Sequence, residues 1–209
     1  MSVDKVIIRS VLNTLAAVAA LFVFMFSALI IFFPATMMEI TYDMGMDKAS
    51  ISYAKREYKR TDEIYFIAHA TQTAIGLGDE ERIFSCGTAF IADDSFEEYC
   101  QKKNEKQSND VVCGYEQYIY GKVCVSEYAL GKKAEAVERA FAFNKESFPA
   151  QNPAAAVLVK ALIQSDVQTV ELIKGKMEEL QVESLSESDR AYYAEMLALI
   201  ELEMDGITN

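Results

Sequence analysis

Tryptophan is absent from this 209-residue chain, histidine occurs once, and proline only three times. A single imidazole leaves no histidine pair for a metal and no second base for a catalytic relay. His69 shares its helical face with Tyr65 and Thr73, at i−4 and i+4, which is a packing or hydrogen-bonding neighbourhood. Also missing are an HExxH pair, a GxxxxGK[ST] phosphate loop and an EF-hand loop. Gly76-Leu77-Gly78 has the glycines of a nucleotide turn without its strand–turn–helix setting, so it reads as a helix–helix turn. Glu97-Glu98 and Glu178-Glu179 read as solvated helix faces, with no sign of a paired-carboxylate mechanism. No catalytic residue, no metal site and no cofactor is expected.

Positive charge is in short supply too. Twenty Lys and Arg stand against 32 Asp and Glu, a net charge of −12. Such a chain is repelled by nucleic acid, so DNA or RNA is excluded as a partner class, and a basic segment on a protein partner is favoured. The four cysteines, Cys86, Cys100, Cys113 and Cys124, form no CxxC pair. If 111–130 is one helix, Cys113 and Cys124 lie eleven residues and roughly 16 Å apart, too far to bond. Cys100 and Cys113 flank the polar stretch Lys102–Asp110. A bridge between them would stabilise by about 3 kcal/mol in the chain-entropy model. The other reading is four reduced, buried thiols.

What is present begins with Val11 to Phe33, an uncharged apolar run closed by Pro34. As a helix rising ~1.5 Å per residue it crosses a ~30 Å hydrocarbon layer. The run is longer than the ~7–15 residues of a cleaved leader, and no A-x-A site follows, so an uncleaved signal-anchor is expected. Lys5 and Arg9 precede it, whereas Glu39, Asp43 and Asp47 follow. This charge difference predicts a cytoplasmic N-terminus with the remainder extracytoplasmic. Ala16 and Ala20 offer a small face for helix–helix contact inside the bilayer. The organisation read from the sequence is a flank at 1–10, an anchor at 11–36, an interfacial linker at 37–46 and a helical domain at 47–206.

Beyond the anchor, glycine is infrequent and Ala, Glu, Lys and Leu are common, a helical composition. Apolar residues recur at helical spacing through Ile64, Ile67, Ala68, Thr71, Ala74 and Ile75, and again after Glu80. Further helices are expected over 96–103, 111–130, 134–144, 154–164, 167–180 and 187–204. Thr61 reads as the N-cap of the second helix, and Pro149 and Pro153 bracket a linker. The expected fold class is all-α.

Two stretches share a local grammar: IYFIAHATQTAIGLGDEERIFSCGTAFIAD and YIYGKVCVSEYALGKKAEAVERAFAFN. In each, an aromatic-rich helix ends at a glycine, Gly78 or Gly131, and a second helix begins after a short polar turn. This resembles the tetratricopeptide repeat family, best over Tyr120 to Phe148. The resemblance makes Gly131 the turn glycine, Ala136 the small residue heading the second helix and Cys124 the small first-helix position. Gly78 and Ile83 hold the matching places in the earlier copy. The two copies are 53 residues apart (78 to 131), not the ~34 of adjacent repeats, which requires an inserted helix and loop at 96–110. The resemblance implies an α-solenoid that binds proteins in a concave groove. Tyr115, Tyr118 and Tyr128 are the expected groove residues, against the reading that they fill the core. The function expected is membrane-anchored protein–protein interaction or assembly without catalysis. The alternative is a structural accessory subunit acting through its transmembrane helix.

Overall fold

The computed structural model describes residues 3–106, 114–143 and 152–208, with side chains described between Ser10 and Met204. Among the described residues there are eleven α-helices, one short 3-10 turn and no strand. The chain divides into two compact units, Met1–Phe66 and Ile67–Asn209.

The first unit holds α1 (Val3–Phe32), α2 (Pro34–Asp43) and α3 (Asp47–Thr61). Ser10–Phe32 of α1 has a mean hydropathy of 2.8 and buries none of its apolar window, so it is long and apolar enough to cross a membrane. Pro34 breaks α1 from α2, yet backbone bonds from Phe33 to Leu29 and from Met37 to Phe33 run up to and past the break. Because proline has no N–H, the carbonyl of Ile30 loses its i+4 donor. The Arg56 guanidinium of α3 supplies one instead: Nη1 donates to the Ile30 carbonyl and Nη2 to that of Ile31, each at 3.1 Å.

α2 and α3 pack as a hairpin. Met37, Met38 and Thr41 are buried on one, Ser50, Ile51, Ala54 and Glu57 on the other. The Ser50 hydroxyl donates to the Met38 carbonyl at 3.1 Å. Buried Glu57 is ion-paired with Arg60. The stretch 37–46 is therefore largely helix, with Met37 and Met38 buried in the hairpin. Thr61 ends α3 instead of starting the next helix, because Asp62 adopts the left-handed conformation (φ 57°) that closes it.

α4 (Ile64–Leu77) carries the boundary between the units. The second unit continues with α5 (Glu80–Ile91), α6 (Phe96–Asn104), α7 (Tyr115–Ala129), α8 (Lys133–Ala142), α9 (Pro153–Ile163), α10 (Val167–Glu178) and α11 (Glu187–Thr208). α7 is central and packs against α5, α6, α8 and α9. α9 packs on α8 and α10, and α10 packs on α8 and α11. Pro153 starts α9, where its missing N–H costs nothing, and the Asn152 side chain caps that helix by accepting from Ala154 N at 2.8 Å.

The turns repeat one geometry. Gly45, Gly78, Gly131 and Ser165 all have positive φ, at 69°, 63°, 85° and 53°. Each donates its N–H three residues back, and the next residue donates five residues back, to Thr41, Ala74, Glu127 and Ala161 respectively. That double bond satisfies the last carbonyls of the preceding helix and reverses the chain. Met38, Thr71, Cys124 and Leu158, seven residues before, are buried; so are Ser50, Ile83, Ala136 and Val170, five residues after. From Gly45 to Gly78 is 33 residues, from Gly131 to Ser165 is 34, and the longer step between contains α6.

The core of the later helices gathers Tyr128, Val137, Leu158, Ile173, Met177 and Ile200 around α7–α11. Polar bonds tie the turns together. Ser126 Oγ donates to Glu80 at 2.6 Å. Asp166 accepts from the Tyr128 hydroxyl at 2.9 Å and from Thr169 Oγ1 at 2.7 Å, and pairs with Lys133 at 2.8 Å. Glu127, buried, takes both Nε and Nη2 of Arg139, at 2.7 and 3.3 Å.

This packing sets the expected effects of three substitutions. A Cβ on Gly87 would sit 2.3 Å from Val123 Cγ2, and a valine held between packed helices cannot swing aside. Gly87→Ala should therefore lower stability by about 1–3 kcal/mol despite alanine's better helix propensity. A Cβ on Gly121 meets only Ala156 at 3.9 Å, so Gly121→Ala should raise stability by about 0.5–1 kcal/mol. Thermal unfolding of the two variants compares them. For Asp166, burial alone would raise the carboxyl pKa, but the bonds from Lys133, Thr169 and Tyr128 outweigh it and hold the group down at about 2. A depressed folded pKa gives stability that is fully present above about pH 4 and lost as pH falls toward 2. Asp166→Asn should flatten that part of the acid-unfolding curve and cost about 1–2 kcal/mol at neutral pH.

Candidate partner-binding cleft

One stripe of α7 presents Gln117, Tyr118, Gly121, Lys122 and Val125, the spacing of a single helical face. Opposite it lie Ala155, Ala156 and Val159 of α9, with Asn152 and with Tyr192 of α11. Together they line a cleft of about 440 Å³. Its cause is local: where two helices pack through Gly121, Ala155 and Ala156, the missing side-chain volume is left open at the surface. Val159 on its wall is 52% exposed, and Ile163, one turn further along the same helix, is 76% exposed.

Lys122 is the charged residue of the lining, and its Nζ stands 5.5 Å over the Tyr118 ring. The cleft is thus mostly apolar, with a cation and a phenol at one side. Such a surface takes an apolar side chain and can answer a carboxylate or a backbone carbonyl beside it. The acidity of the whole chain is not concentrated here.

Of the three tyrosines expected to line a groove, Tyr118 is exposed and in the cleft. Tyr115 is buried, with its hydroxyl accepting from Gln72 Nε2 at 2.6 Å and its ring near those of Tyr99 and Tyr118. Burial, and then Tyr99, pushes its phenol well above the usual range. Tyr128 is 1% exposed and bound to Asp166, and burial with that carboxylate pushes it up to about 12. Sequence reasoning missed Gly121, Ala155, Ala156, Val159 and Tyr192. The available signal was the row of small residues Ala154-Ala155-Ala156, which matters only once α7 and α9 are known to be neighbours.

The other singled-out residues are placed as follows. Cys100 is buried, and burial together with Glu116 pushes its thiol up to about 12. Cys113, with which a bridge was expected, lies outside the described residues. Cys124, also buried, is pushed up to about 12 by burial, and Cys86 is buried on α5. Neutral thiols in apolar surroundings are poor nucleophiles. His69 Nε2 is 3.5 Å from Thr73 Oγ1 on the same helix. Among the described residues no group of three or more His, Cys, Asp or Glu is gathered to hold a metal. Ala16 and Ala20 are exposed on α1, and Asn13 is exposed one turn before them. Compared with protein-family models, with curated proteins and with solved structures, the chain matches none.

Proposed function

We propose that this is a non-catalytic, single-pass membrane protein whose helical hairpins form a tetratricopeptide-like array that binds another protein in the α7–α9–α11 cleft. The anchor reading rests on the apolar length of Ser10–Phe32 and its full exposure. The array reading is supported by the recurring turn and by the 34-residue step from Gly131 to Ser165, the period of adjacent units of that family. It is supported too by packing in which each of α7 to α10 meets the next helix or the one after it. The observation that carries partner binding is the cleft itself, with Val159 exposed on its wall.

The partner best suited to the cleft presents an aliphatic or aromatic side chain against Gly121 and Ala156, with a carbonyl or carboxylate reaching Lys122. A basic segment of that partner would be drawn to the acidic surface outside the cleft.

Asn13 favours a second reading. An exposed amide on a helix passing through hydrocarbon needs a polar partner, and with Ala16 and Ala20 it makes a small-residue face suited to another transmembrane helix. Under that reading the protein is an accessory subunit held by α1.

A photocrosslinking residue at Val159, with a parallel one at Ala16, separates the two in the native membrane. The cleft reading expects a discrete adduct at Val159 whose yield falls at least about tenfold when Gly121→Leu fills the cleft. Adducts confined to Ala16, or a Val159 adduct indifferent to Gly121→Leu, would overturn it.

A further inference from the structure

Lys48, Lys55, Arg56, Lys59 and Arg60 give α3 five cations against Asp47 and Glu57. Their distribution is not even. Lys48, Lys55 and Lys59 recur at i, i+7 and i+11, on the side of α3 away from buried Ser50, Ile51, Ala54 and Glu57. Ser52 and Arg56 adjoin that stripe, and Ser52, Arg56 and Lys59 are exposed. Among the described residues no ion pair joins Lys48, Lys55 or Lys59 to a carboxylate, whereas Arg60 is held by Glu57. The acidic residues of α2, Glu39 and Asp43, are exposed on the side opposite its buried Met37, Met38 and Thr41.

The level of this stripe is fixed by Arg56. Its guanidinium reaches the carbonyls of Ile30 and Ile31, at the last turn of the apolar span. A cation bonded there, where apolar chain gives way to polar chain, stands at headgroup depth. Lys55 and Lys59 are its neighbours on the same helix. The whole unit Met1–Phe66 carries seven basic and seven acidic residues, so its net charge is zero and the chain's −12 belongs to Ile67–Asn209. The basic stripe is therefore a local field beside the membrane, opposed in sign to the rest of the protein.

We propose that the Lys48–Lys55–Lys59 face of α3, with Arg56, docks on anionic phospholipid headgroups of the leaflet from which α1 emerges. The inference rests on α1 spanning the bilayer. Each basic residue near an anionic surface multiplies local binding roughly fivefold, and the effect falls away beyond a Debye length. Lipid contact by α3 holds the α2–α3 hairpin against the membrane while the acidic remainder is repelled from it.

The absence of tryptophan makes the test clean. The full chain is placed in scaffold-free bicelles of phosphatidylcholine, alone or with a third of phosphatidylglycerol, as a Ser52→Trp or a Phe24→Trp variant. The Phe24→Trp emission should be quenched by brominated acyl chains in both bilayers. Acrylamide quenching of the Ser52→Trp variant should fall about twofold or more in the anionic bilayer. The protection should vanish at about 0.5 M salt and when Lys48, Lys55 and Lys59 are all changed to Gln with unchanged helix content. Quenching of the Ser52→Trp variant that is equal in the two bilayers, or that ignores the three substitutions, overturns the lipid contact while the anchor stands. Phe24→Trp emission untouched by brominated lipid removes the anchor itself, and the proposal with it.

Discussion

A carbonyl without its donor is the hinge of the first unit. Pro34 deprives the Ile30 carbonyl of the N–H that a continuing helix would give. Arg56, twenty-six residues further on, answers that carbonyl and the next. The bond can form only if α2 and α3 fold back as a hairpin, which their buried Met37, Met38, Ile51 and Ala54 drive. The orientation of α3 against the end of the apolar helix is set by that donor fork together with the hairpin packing.

The second unit depends on a different regularity. Three of its helices, α4, α7 and α9, are each closed by one left-handed residue, and the residues seven before and five after it are buried. The same local rule therefore produces a hairpin each time, and the bonds from Ser126 to Glu80 and from Tyr128 and Lys133 to Asp166 hold successive turns in place. A cleft opens where α7 and α9 approach through glycine and alanine. Its lining is mostly apolar, with Lys122 as the charged residue.

Much of the helical order was legible because it rests on local signals. The apolar run of α1 and the glycines 78 and 131 mark their elements without tertiary information. The turns at Gly45 and Ser165 were not recognised as copies: the first fell in a stretch read as a linker, and Ser165 occupies the left-handed position where glycine was the cue. The 34-residue step to it was missed for the same reason. The stretch 37–46 was read as a linker because its methionines and tyrosine fit a membrane interface equally well; only pairing with α3 shows Met37 and Met38 inside. Of the three expected groove tyrosines, Tyr118 alone is exposed, and nothing in the sequence set it apart. Tyr115 and Tyr128 share its helix and its residue type, and the polar partners that claim them, Gln72 and Asp166, lie 43 and 38 residues away.

The measurement that bears most directly on the account is alkaline extraction of native membranes followed by the intact mass of the protein. A spanning α1 keeps the chain in the membrane pellet at full length, with residues 1–34 still attached. Release of the chain into the alkaline supernatant, or a mature protein beginning just after Pro34, would contradict it.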